Sequence, residues 1–438
     1  MATASPNSAP QKGFMGWLNK RLPVQAFYES QMAGYLAPKN MNFWYFFGSL
    51  ALMVFVMQIL SGIFLTMHYK PGETIAFDSV EYIMREVEWG WLIRYLHSTG
   101  ASFFFIVVYL HMFRAVLYGS YRSPRELLWL LGMFLYLALM AEAFMGYVLP
   151  WGNMSYWGAQ VIVNLFGTIP VIGPGLVEWI RGDYGIADST LNRFFALHVI
   201  AFPLVLLGLV AAHLMALHEV GSNNPDGIEI KKQPKDPKTG LYLDGINSHP
   251  YYTIKDIVGV VFFLAVFSAI MFFVPEMGGY FLEANNFIPA DPLKTPEHIA
   301  PVWYFTPYYA ILRAVPSELV SFLPATQFYG VVAMGAAVLI FFFLPWLDRG
   351  AVKSIRYRGT LYKSWLAAFV ISFLLLGYLG VVPVTIWGQF ADGWPLLGGA
   401  DKATVVARLL TVVYFLFFLL MPWYTVRDKT KPVPDRTT

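Results

Sequence analysis

The chain has 438 residues, of which 57% are hydrophobic and only 13% charged. That balance lies outside the range of soluble globular domains and reads as a membrane protein with several spans. A net charge of +3 with no basic block excludes a nucleic-acid footprint, and zero cysteines exclude disulfides, iron–sulfur ligation by this chain and thioether-linked haem.

The opening Met1 to Pro10 reads as a disordered tail, and the first 40 residues hold no apolar run long enough for a signal peptide. Lys12, Lys20, Arg21 and Lys39 follow and are expected on the cytoplasmic side. Eight stretches are long enough to cross a bilayer: 42–66, 90–116, 126–150, 191–217, 255–274, 328–346, 364–387 and 404–424. The fold class is therefore all-α and polytopic. Lys and Arg concentrate after the even-numbered spans, at Arg114, Arg122 and Arg125, at Lys231 to Lys255, at Arg349 to Lys363, and at Arg427 to Arg436. The alternate loops carry fewer, which predicts both termini in the cytoplasm. Four units follow: a tail at 1–40, a bundle at 41–225, a cytoplasmic loop at 226–254 and a second half at 255–438.

The second and fourth spans each carry two histidines, His97 with His111 and His198 with His213, at intervals of 14 and 15 residues. At 1.5 Å rise per residue each interval covers about 21 to 22 Å, so one imidazole lies near each face of a ~30 Å hydrocarbon core. Fourteen residues also return to within about 40° of the starting helix face. A lone histidine on an apolar face is ordinarily a satisfied core residue. Ionisable groups inside a membrane are costly, however, and two matched pairs point to two metal centres clamped between helices. The two spans run in the same direction, so His97 pairs with His198 at the outer level and His111 with His213 at the inner.

The first and third spans carry Gly48 and Gly62, and Gly132 and Gly146, again 14 residues apart. Glycine is common where membrane helices pack. In register with the histidines, it instead predicts room for a flat macrocycle inside a four-helix bundle. Arg94 and Arg193 lie near the outer pair and Arg114 near the inner. Each could meet a macrocycle carboxylate, which favours haem over a bare ion, although interfacial arginines also simply snorkel.

Between the third and fourth spans, Pro150 to Gln160 and beyond is aromatic-rich and too interrupted to cross, and predicts interfacial amphipathic helices. The loop at 275–327, with Thr295 to Tyr304, is expected to join it in walling an apolar pocket at the outer level. On the inner side, His218 and the Lys255-Asp256 pair could exchange protons with a bound ligand.

Several stretches together resemble cytochrome b of the ubiquinol–cytochrome c oxidoreductase family, the cytochrome bc complexes, in its bacterial form. They are Gly48 and Gly62 with Met67-His-Tyr69, Arg94-Tyr-Leu-His97 with His111, Gly146-Tyr-Val-Leu-Pro-Trp-Gly152, His218 to Pro225, Pro250 to Asp256, and Pro301 to Tyr304. The likeness runs from about residue 28 to 424. It implies two non-covalent b-type haems, a low-potential one on His97 and His198 and a high-potential one on His111 and His213. It implies a quinol-oxidation pocket with Tyr147, Gly158, Trp303, Tyr304 and Tyr309, and a quinone-reduction pocket with Trp44, Ser49, His218, Ser222, Lys255 and Asp256. It implies ubiquinol and ubiquinone as substrates, a Rieske-type iron–sulfur subunit and a cytochrome c-type subunit as partners, a homodimeric complex, and the bacterial inner membrane as its place.

Two features depart from the family pattern. Val302 stands where the common Pro-Glu-Trp-Tyr motif has its glutamate, so the proton-accepting role is expected to pass to Glu297. The His198–His213 interval is one residue longer than the usual respiratory spacing, as in plastid relatives. One residue turns an ideal helix by about 100°, so a local irregularity, a π-bulge near Pro203, is predicted between about 200 and 208. Two rival readings fit less well. A two-haem dehydrogenase anchor needs one quinone pocket rather than two, and a haem-free secondary transporter should show inverted repeats, which the sequence lacks.

Overall fold

The structure is a computed structural model and describes residues 13–29, 33–316, 327–391 and 399–438. The tail expected at residues 1–10 lies outside the described residues. Among the described residues, eight helices are long and apolar enough to cross a membrane: Phe43–Thr66, Gly90–Tyr118, Glu126–Val148, Asp188–Val220, Tyr251–Phe273, Phe328–Leu347, Thr360–Val381 and Lys402–Leu419. In hydrocarbon every backbone N–H and C=O must find a partner within the segment, so uninterrupted apolar runs become helices.

The boundaries moved where proline intervenes. The seventh span ends at Val381, just before Pro383, which has no N–H to continue the ladder. The eighth ends at Leu419, and a short helix Met421–Arg427 restarts with a proline in its first turn. The fourth span contains the irregularity its spacing demanded, but earlier than expected. A π-helical turn occupies Leu197–Ala201, and a regular helix resumes at Phe202 with Pro203 in its first turn. Pro203 would have bonded the carbonyl of Val199 in an α-helix. Its missing N–H interrupts the ladder inside that turn, which is where the extra residue is accommodated.

The first span packs on the second and the third on the fourth, forming the bundle that carries the histidines. Between the third and fourth, helices Asn153–Phe166 and Gly173–Arg181 form, as the aromatic stretch predicted. A further helix, Thr306–Ala314, packs against the sixth, seventh and eighth spans. It carries Trp303-Tyr304 on its leading turn into the core shared with Phe105 of the second span. At the other end of the molecule, strands Leu36–Pro38 and Gly245–Asn247 pair antiparallel. The buried Asp244 holds Lys39 at 2.5 Å and Arg436 at 2.7 Å, tying three distant segments together.

Candidate functional site

The four histidines meet in two pairs. The rings of His97 and His198 have centroids 6.2 Å apart, and those of His111 and His213 are 6.5 Å apart. Metal–imidazole bonds of roughly 2.0–2.1 Å, as measured at zinc, put two rings opposed across one ion at about this separation.

The hydrogen bonds around the first pair fix which ring nitrogen is free. Ser61 Oγ donates to the Met57 carbonyl at 2.7 Å, so it accepts from His97 Nδ1 at 2.9 Å. His198 Nδ1 faces two acceptors, the Glu142 carbonyl at 2.9 Å and Glu142 Oε1 at 3.1 Å. Both rings therefore carry their proton on Nδ1 and leave Nε2 unprotonated, the state a metal ligand needs. At the second pair, Arg114 Nη2 lies 3.3 Å from His111 Nδ1, and its guanidinium carbon is 4.8 Å from the Tyr45 ring. Arg114 Nε is buried without a hydrogen-bond partner, an orphan that suits an anionic group.

Each glycine of the flanking spans faces one of these rings. A Cβ on Gly48 would stand 3.3 Å from His111 Cε1, and one on Gly132 the same distance from His213 Cε1. A Cβ on Gly62 would stand 3.3 Å from His97 Cε1, and one on Gly146 only 2.4 Å from His198 Cε1. The space the glycines leave is thus filled by the imidazoles themselves, not directly by a macrocycle. The partnering by level is the one the register predicted. Paired donors with no third candidate ligand among the described residues, protons held on Nδ1 at the first pair, glycine-backed rings and a buried orphan guanidinium nitrogen fit a bis-imidazole haem.

A cavity of about 320 Å³ opens at the His97–His198 end. Its lining includes His97, His198, Gly62, Gly146 and Arg94, and also Tyr147, Val302 and Tyr304. The Tyr304 ring stacks on Phe105 at 3.8 Å, and the Tyr109 hydroxyl donates to the Tyr304 carbonyl at 2.5 Å. Trp303 donates to Ser102 Oγ at 3.1 Å, Gly158 packs against the edge of Tyr147, and Tyr309 lies under Arg313. Arg193 is exposed and donates to the Trp179 carbonyl instead of lining the cavity.

Glu297 is exposed and does not line this cavity. A different carboxylate stands behind the wall. The Tyr147 hydroxyl donates to Glu283 Oε2 at 3.0 Å, and burial pushes the Glu283 carboxyl up to about 7. Glu283 has no motif around it, and only the fold brings it to Tyr147.

At the His111–His213 end the predicted residues fall into small groups. Ser49 Oγ donates to Asp256 Oδ1 at 3.2 Å. Tyr35 stacks on His218 at 4.5 Å, its hydroxyl 2.8 Å from Ser222 Oγ and accepting from Ser222 N at 2.9 Å. Tyr35 is a member that the sequence reading missed. Lys255 lies over the rings of Tyr251 and Tyr252, and Trp44 packs against Phe47 and Phe113.

Two family models match the chain, cytochrome b/b6/petB over residues 32–221 and cytochrome b (C-terminal)/b6/petD over 289–392. A cytochrome b of Allochromatium vinosum is 57% identical over 433 residues, covering 98% of this chain and 100% of that protein. The chain belongs to the cytochrome b family. Among other members, a cytochrome b of Rhodospirillum rubrum is 46% identical, covering 95% of this chain and 94% of its own. The solved structure of a hyperthermophilic respiratory complex III contains a chain similar to this one at TM-score 0.81 and 38% identity, covering 94% of this chain and 98% of that one.

Proposed function

We propose that this cytochrome b is the haem-bearing core of a bc1-type complex III in a bacterial inner membrane. It oxidises quinol at the His97–His198 end, which the distribution of Lys and Arg makes the outer one, and reduces quinone at the His111–His213 end. The observation that carries the reading is the shared cavity: the first histidine pair and the Tyr147–Tyr304 wall open onto one mostly apolar space. Two b-type haems, held by His97 with His198 and by His111 with His213, would supply one-electron carriers at two depths.

The residues of the chain do the rest. Phe105 holds the Tyr304 ring flat against the second span and shapes the apolar slot for the quinol head. The Tyr147 hydroxyl stands between the cavity and Glu283, so Glu283 Oε2, not Glu297, is placed to receive the quinol proton across that hydroxyl. A carboxyl poised near pH 7 is matched to that work. Arg94 and Arg114 are positioned to bind the carboxylates of the two haems. At the inner end, Asp256 with Ser49, and His218 with Tyr35 and Ser222, hold the proton-exchanging groups for quinone reduction. Each elementary charge moved between the two levels works against the membrane potential at about 2.3 kcal/mol per 100 mV, which is how the cycle contributes to proton translocation. Iron–sulfur and c-type centres need cysteine, which this chain lacks. They belong to a Rieske-type subunit and a cytochrome c-type subunit, in a complex that forms a homodimer.

A reduced-minus-oxidised optical spectrum of the purified complex, with pyridine haemochrome quantification per chain, tests the reading. Two b haems per chain are expected. One haem or none in a folded sample overturns it.

A further inference from the structure

We propose that Glu142 sets the redox level of the His97–His198 site by holding the Nδ1 proton of His198 on its side-chain carboxylate. This inference rests on the haem reading above and goes beyond it, because it assigns the difference between the two sites to a particular side chain.

Glu142 offers His198 two acceptors. Its own backbone carbonyl is 2.9 Å from Nδ1, and its Oε1 is 3.1 Å away. The backbone carbonyl alone would satisfy the Nδ1–H and fix the tautomer. The side chain is therefore not needed for that, yet it is drawn into the bundle. It is only 15% exposed, and its second oxygen, Oε2, is buried without a hydrogen-bond partner. Leaving a carboxylate oxygen unpaired in a low-dielectric interior is costly, so the placement calls for a reason other than packing. Among the described residues, His198 is the one histidine within 4 Å of an acidic side chain.

The consequence follows from ligand chemistry. A carboxylate that accepts the distal N–H of a metal-bound imidazole raises the basicity of that ligand. A more basic ligand, and a negative charge nearby, stabilise the oxidised metal and lower its potential. Each level has one arginine, Arg94 at the first and Arg114 at the second, whereas the second has no acidic side chain beside a ring nitrogen among the described residues. Two sites with the same ligand set are thus set apart by one carboxylate. Electron movement from the His97 level to the His111 level is then downhill.

The test is an optical redox titration of the complex in membranes, wild type against Glu142→Gln and Glu142→Asp. Glutamine keeps the length and an acceptor oxygen but removes the charge. Aspartate keeps the charge and shortens the reach. The expected order of midpoint potential for the His97–His198 haem is wild type lowest, aspartate intermediate and glutamine highest. The glutamine variant should shift by about tenfold in reduced-to-oxidised ratio at fixed ambient potential, ~59 mV for one electron. The His111–His213 haem should stay put. An unmoved potential in Glu142→Gln with both haems retained overturns the inference. If that variant fails to keep its haem, Glu142→Asp decides alone: a raised potential supports the role and an unchanged one removes it. Absence of two b-haem transitions in the wild type would instead sink the underlying reading, so the two failures are distinguishable.

Discussion

The two histidine levels share a register and differ in nearly everything else. At the His97–His198 end the imidazoles give their protons to oxygen, from Ser61 and from Glu142, and the rings look into an open apolar cavity. At the His111–His213 end a guanidinium stands beside one ring, and the nearby polar side chains are bonded to each other, Ser49 to Asp256 and Tyr35 to Ser222. Helical periodicity makes two like sockets, and the neighbours make them do different things. On the proposed reading, sites that differ in this way give electron movement between them a preferred direction.

The largest break in this comparison is removal of one socket. His198→Ala should leave one b haem per chain instead of two, with the His111–His213 haem intact, read by pyridine haemochrome and redox titration. Loss of both haems together would mean that the levels do not fold independently. A finer break uses the glycines. Gly146→Ala should strip the outer haem to a substantial degree, because its Cβ would meet His198 Cε1 at 2.4 Å. Gly132→Ala meets His213 at 3.3 Å and should cost much less, since a shift of a few tenths of an ångström relieves it. Equal haem occupancy in the two variants would contradict the geometry.

The proton route sharpens the comparison at the outer end. Glu283→Gln should slow quinol oxidation by roughly 10²-fold, the low end of what a positioned base contributes, while both haems remain. Burial raises the carboxyl to about 7, so the wild-type rate should climb as pH passes through about 7 and the base deprotonates. The glutamine variant should lose that limb of the profile. Glu297→Gln, on the exposed loop, should stay within about twofold of wild type, as most surface substitutions do. A larger loss in Glu297→Gln than in Glu283→Gln would return the role to the residue the sequence suggested.

The proposed exchange of carboxylates marks where sequence reading stops. The histidine levels were legible because a 14-residue interval fixes depth and face at once, and the glycine interval repeats it. The π turn was legible in kind, since a 15-residue interval cannot keep register in an ideal helix. Its place was misjudged because Pro203 acts on a carbonyl four residues back, which draws the turn to Leu197–Ala201. Arg193 sits close to His198 in sequence, but its side chain turns to Trp179. Glu283 and Tyr35 had no local signature. Glu283 meets a partner 136 residues away, and Tyr35 meets one 187 residues away. Only the closed fold brings such pairs together.

A smaller loss than at Glu283 is expected at Tyr35, and it separates two roles of one side chain. The ring stacks on His218, while the hydroxyl bonds Ser222 Oγ and accepts from Ser222 N. Tyr35→Phe keeps the stack and loses the hydroxyl. A hydrogen bond of this kind contributes about 0.5–1.5 kcal/mol, so the affinity of a quinone-reduction inhibitor should fall by roughly 2- to 12-fold. Tyr35→Leu removes the stack as well and frees the His218 ring, so its loss should be larger. Reduction of the inner haem by quinol with the outer pocket blocked by its own inhibitor, followed with and without the inner inhibitor, reads the site without involving the outer pocket. If Tyr35→Phe already matches Tyr35→Leu, the hydroxyl alone orders the Ser222 segment. If it matches wild type, the His218 stack is what holds the inner wall, and the Ser222 bond merely follows it.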